Sequence, residues 1–109
     1  MIKWYPALYL DSVTRKHLNR IKRRMEKGKL TFSVYCIALA TNEKNLLDIY
    51  STNELLFPYY KKKGMTVIGL ASSKEKALEL VVDIINDVYQ QTGELDVRTF
   101  FNGRKCSEL

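Results

Sequence analysis

Residues 65–93, MTVIGLASSKEKALELVVDIINDVYQQTG, contain the change of hydrophobic period on which the fold turns. Met65 to Ala71 is a near-continuous apolar run, as expected of a strand buried on both faces. Ser72, with Glu75 three residues later, has the spacing of a capping box, in which hydroxyl and carboxylate satisfy orphan N–H groups at a helix start. From there Ala77, Leu78, Val81, Val82, Ile85 and Val88 form a wide apolar face, and Glu79, Asp83, Asn86, Asp87 and Gln90 a narrow polar stripe. Gly93 suits the left-handed residue that ends such a helix. Beyond it Leu95, Val97, Thr99 and Phe101 alternate, which predicts a closing strand parallel to the first across a right-handed crossover.

Working back toward the N-terminus, Leu30 to Ala40 (LTFSVYCIALA) reads as a central strand, antiparallel to the other two. Between these strands Leu46, Leu47 and Ile49 suggest a helical turn starting after Thr41. Pro58 makes the run from Leu55 to Gly64 a connection, because proline disfavours a regular element there. Trp4, Tyr5 and Tyr9 are read as anchors of an N-terminal segment. The fold class is therefore α+β: a small three-stranded mixed sheet in α-β-β-α-β order, with two main helices on one face, like half a ferredoxin-like fold. Residues 1–101 form a single domain in this reading, and 102–109 a flexible tail. Tyr35, Ile37 and Leu39 would leave the second sheet face apolar, and a homodimer would cover it.

The chain of 109 residues is 46% hydrophobic and 28% charged, which fits a globular domain and excludes a disordered one. No apolar run approaches the roughly 20 residues of a membrane span, and the opening residues MIKWYP do not resemble a secretory signal. Two cysteines make no disulfide framework, so a cytoplasmic location is expected. The net charge is +6, and its placement is uneven. Between Asp11 and Lys29 eight basic residues face only Asp11 and Glu26, which accounts for the whole excess. The other 90 residues hold ten basic and ten acidic groups. A concentrated patch of this kind is the footprint of an anionic partner.

The patch reads as one amphipathic helix from about Ser12 to Lys27, capped by Asp11 or Ser12 and ended by Gly28. Leu18, Ile21 and Met25 form its apolar stripe. Opposite them Lys16, Arg20, Arg23 and Lys27 make a ridge at i, i+4, i+7 and i+11, with Arg24 beside it. Arg15 and Lys16 lie in the first turn, where the helix dipole disfavours positive charge. Lys61, Lys62 and Lys63 supply a second basic cluster, next to Phe57, Tyr59 and Tyr60. Rings that stack on bases beside cations that follow the backbone are what single-stranded nucleic acid binding needs. The plainer reading makes these rings a lid on the core and the lysines a solvated turn.

Catalytic chemistry finds little support. His17 is the single histidine and borders the basic helix, Cys36 lies within an apolar run, and Cys106 sits near the C-terminus beside Lys105. No CxxC, HxxxH or ligand cluster at metal spacing is present in the sequence. No catalytic set, metal or cofactor is expected, and the chain is read as non-enzymatic. Gly69 to Ser73 runs from strand to helix, where free N–H groups can hold an anion. Its glycine pattern matches neither phosphate-binding fingerprint, and Gly69 more simply allows a close approach to the strand.

The function expected is a small basic domain that binds nucleic acid, DNA or RNA, through Arg15, Lys16, Arg20, Arg23, Arg24 and Lys27, with Lys61, Lys62 and Lys63 as a second cluster. The alternative is a protein-interaction or assembly module, a homodimer with an acidic protein partner. Attachment to a membrane ranks last, because Leu18, Ile21 and Met25 are needed for the core. The stretch FSVYCIALATNEKNLLDIYSTNELLFPYY, followed by VIGLASSKEKALELV and DVRTFF, resembles small uncharacterised bacterial proteins of about this length. The resemblance implies a free-standing bacterial protein and brings no activity or site with it.

Overall fold

The computed structural model describes residues 2–29, 31, 34–39, 47–53, 65–95, 97–102 and 107–108. Along them run β1 (Ile2–Leu10), α1 (Ser12–Lys16), α2 (Leu18–Glu26), β2 (Tyr35–Leu39), β3 (Leu47–Ser51), β4 (Met65–Ala71), α3 (Lys74–Thr92), α4 (Val97–Asn102) and β5 (Ser107–Glu108). The fold is α+β. Its mixed sheet has four main strands in the order β3-β2-β4-β1, and the two-residue β5 adds beyond β1. β1 and β4 run parallel, while β2 lies antiparallel to both β3 and β4.

The strand Met65–Ala71 and the helix that follows it agree with the sequence reading. β2 is interior and antiparallel to β4 as expected. It is shorter than Leu30 to Ala40, since Thr31 and Val34 lie outside it, and its second neighbour is β3, not the 95–101 stretch. The parallel partner of β4 also differs from that reading. It is the N-terminal stretch, expected only as an anchor, and it buries Trp4 and Tyr5 in two different clusters. Pro6 is tolerated because the ladder is interrupted there: Trp4 pairs with Val67 and the next pair is Tyr9 with Gly69. The proline, which has no N–H to donate, thus falls in a bulge. The expected strand from Leu95 to Phe101 is replaced by the short helix α4, which buries Val97, Phe100 and Phe101 at i, i+3 and i+4. Phe101 sets its edge against Tyr5 at 4.7 Å between ring centroids and against Phe100 at 4.9 Å.

Leu47 and Ile49, expected in a helical turn, lie in β3 opposite Leu39 and Ile37. Leu46 lies outside the described residues, as does the run from Leu55 to Gly64. Ser107–Glu108, in the stretch expected as a tail, pair antiparallel with Lys3 and Trp4.

The largest correction concerns the layers. Helices cover both sheet faces, not one, so the chain is not half a ferredoxin-like unit with a bare second face. Tyr35, Ile37 and Leu39 of β2 pack into the core shared with α3 and α4, whereas Cys36 packs with Ile21 and Met25 of α2. Strand alternation therefore feeds two cores from one strand. The apolar second face that argued for a homodimer is already covered. Gly69 lies at the pinch between three strands. A Cβ there would stand 3.0 Å from the Tyr9 carbonyl oxygen and 3.2 Å from Cδ1 of Ile37. The close approach inferred from the sequence is what this glycine permits.

Candidate nucleic-acid interface

The basic segment begins at a polar knot. One oxygen of Asp11, Oδ1, accepts from the backbone N–H of Thr14 at 2.8 Å and from its hydroxyl at 2.9 Å. The other, Oδ2, accepts from the N–H of Ser72 at 2.6 Å and from its hydroxyl at 2.7 Å. Thr14 is fully buried, and its one hydroxyl proton is shared between Asp11 Oδ1 and the carbonyl of Leu70, 2.9 Å from each. Burial works against the Asp11 charge, but these bonds from Thr14 and Ser72 outweigh it and hold the carboxyl below its ordinary range. The helix start at Ser72 was a candidate anion site. There the chain supplies its own anion, because the Asp11 carboxylate takes the Ser72 donors. Ser72 is therefore not the cap of α3. Ser73 is, accepting from the N–H of Lys76 at 3.1 Å.

The single expected helix is two. It breaks at His17, whose backbone leaves the helical region at φ −113° and ψ 20°. Ile21 and Met25 seat α2 on the sheet, and Gly28, at φ 68°, lies in the turn that follows. Lys22 lies over the Trp4 ring, 5.1 Å from its centroid. The indole N–H donates to Glu26 at 3.1 Å. That bond explains an acidic residue in the last turn, where the dipole disfavours one.

The six cations proposed on this segment are thereby sorted. Arg20, Arg23 and Lys27 stand exposed, on the side of α2 away from Ile21 and Met25. Lys16 is exposed on α1, and Lys29, which the sequence reading left out, is exposed past the end of α2. Arg24 is half-buried on the flank of α2. Arg15 parts from the ridge and lines a cleft of about 610 Å³ between β1 and α3, together with Tyr9, Asp83, Asn86 and Asp87. Tyr9 donates to Asp87 in that cleft at 2.6 Å. Sequence reasoning missed the cleft, since it depends on the break at His17 and on β1. Lys61, Lys62 and Lys63, with Phe57, Tyr59, Tyr60 and Cys106, lie outside the described residues.

Among the described residues no three His, Cys, Asp or Glu side chains gather as a metal site would require, and no helix is long and apolar enough to cross a membrane. His17 is exposed, and Cys36 is fully buried in mid-sheet. What the surface offers is a short helix clamped by its apolar side, with three cations within two turns on the other. No family model matches the chain, and neither a curated protein nor a solved structure shows significant similarity to it.

Proposed function

We propose that the chain is a nucleic-acid-binding domain that contacts phosphates through the outer side of α2. The observation that carries the reading is the convergence of Arg20, Arg23 and Lys27 on the exposed side of a helix whose other side Ile21 and Met25 hold in place. From residue 20 to residue 27 the helix advances roughly 10 Å, and a duplex presents about six phosphates over that length. With Lys16 and Lys29 nearby, three to five contacts are within reach. Such contacts give affinity without sequence preference, because phosphates are alike in every sequence.

The test is binding to mixed duplex DNA and to single-stranded RNA at about 50 and 200 mM salt. Three to five contacts imply a logarithmic salt slope of about −2.7 to −4.5 on the duplex, a loss of roughly 40- to 500-fold over that range, and about −2.1 to −3.5 on the single strand. Binding with this slope, abolished by R20E/R23E/K27E, is the expected result. No binding at the lower salt refutes the proposal and leaves an acidic protein as the partner to seek by pull-down with the same two proteins.

A further inference from the structure

The nucleic-acid reading makes no use of the cleft between β1 and α3. Its volume of about 610 Å³ lies within the roughly 300–1,000 Å³ of small-molecule sites. The bulge in β1 forms one side of it. Trp4 pairs with Val67 and Tyr9 with Gly69, so the residues from Tyr5 to Leu8 pair with none of β4. Bulges recur beside binding sites, where they re-aim side chains. Three of the lining residues are charged: Arg15 from α1, and Asp83 and Asp87 one turn apart on α3. Among the described residues the side chains of Arg15 and Asp83 have neither a hydrogen-bond nor an ion-pair partner, although opposite charges share the cleft. Asp87 is held by Tyr9, whose hydroxyl donates to Oδ2 at 2.6 Å and leaves Oδ1 open. The neighbouring carboxylates are already engaged. Glu79, one turn before Asp83, pairs with Lys76 at 3.5 Å, and Asp11 serves Thr14 and Ser72.

We infer that this cleft binds a free amino acid with a cationic side chain, such as arginine, lysine or ornithine. A simple anion would meet the like charges of Asp83 and Asp87, and a simple cation that of Arg15. A zwitterion satisfies both sides. One guanidinium and two carboxylates sum to −1, which an amino acid of net charge +1 balances. Its carboxylate meets Arg15, whose fork suits bidentate pairing, and its two cations meet Asp83 and Asp87. Four residues separate these carboxylates, roughly 6 Å along the helix axis, a span that a lysine or arginine side chain bridges. Leu80, which also lines the cleft, gives the methylene stem an apolar surface. The inference is independent of the nucleic-acid reading, because Arg15 stands apart from the exposed side of α2.

Isothermal titration calorimetry of the full chain, without nucleic acid, tests the inference with L-arginine and L-lysine up to about 10 mM. Saturable binding with a Kd at or below about 1 mM is the expected result. Agmatine, which lacks the carboxylate, and citrulline, whose side chain is neutral, bind about tenfold or more weaker. R15Q binds arginine no better than agmatine, and D83N weakens arginine by about tenfold or more. Both positions are exposed, and far-UV circular dichroism of both variants should match wild type. No saturable binding of either amino acid by about 10 mM overturns the inference. So does agmatine or citrulline binding as tightly as arginine, or arginine binding that R15Q or D83N leaves intact. Should a variant lose its fold, the comparison of arginine, agmatine and citrulline on the wild type decides alone.

Discussion

Replacing Asp11 by alanine removes the acceptor of four hydrogen bonds at once, two from Thr14 and two from Ser72. A helix cap alone contributes about 1 kcal/mol, and a bond to a charged acceptor about 1.5–3 kcal/mol. These do not add in full, because Asp11 is half-exposed and water replaces part of what is lost. The expected destabilisation is about 2–3 kcal/mol. For a urea slope of about 1–1.5 kcal/mol/M, the midpoint falls by roughly 2 M. D11N separates the halves of the knot. Its amide oxygen still serves Thr14, but its NH₂ meets the donors of Ser72, so about half of the loss remains. S72A removes one hydroxyl bond and costs under about 1 kcal/mol. The pH profile gives a second check. The folded pKa of Asp11 lies below its unfolded value, so its contribution is complete above the unfolded value of about 4 and fades as pH falls through the folded one. The stability gap between wild type and D11A should accordingly narrow as pH falls below about 4. A D11A unfolding free energy within about 0.5 kcal/mol of wild type at pH 7, or a difference unchanged at low pH, refutes the reasoning.

Three further outcomes follow from single positions. R23A should weaken nucleic acid binding alike for all sequences and lower the salt slope by about 1, read from titrations at several salt concentrations. G69A forces a Cβ onto the Tyr9 backbone, which cannot swing aside as a side chain end would, and should destabilise by about 1–3 kcal/mol in urea unfolding. F101A empties a fully buried site bounded by Tyr5 and Phe100 and should cost about 3–5 kcal/mol. A loss below 1 kcal/mol there would show that α4 is not part of the core.

The sequence was most legible where one periodicity ran long enough to exclude the other. From Met65 to Gly93 a buried run gives way to five turns of helix, and both elements stand where they were expected. Six residues at Val97–Asn102 satisfy two periods together: 97, 99 and 101 alternate, while 97, 100 and 101 follow a helix. Tertiary packing against Tyr5 chose between them. The strand at Ile2–Leu10 left no alternation to read, because the bulge around Pro6 shifts its register. The basic ridge was visible as composition, but its edges were not. The three-and-four spacing continues through His17, so nothing local announced the break that directs Arg15 elsewhere. The Asp11–Ser72 bond spans 61 positions and has no local signature at all.

Trp4 is the sole tryptophan, 1% exposed, with the Lys22 ammonium above its ring and the Glu26 carboxylate at its N–H. The indole therefore sits between two opposite charges, both carried by the helix assigned to the partner. Any polyanion that draws Lys22 off the ring alters the field across the chromophore without touching it. The domain thus contains an optical reporter of its own surface, readable as an emission shift in the unlabelled protein.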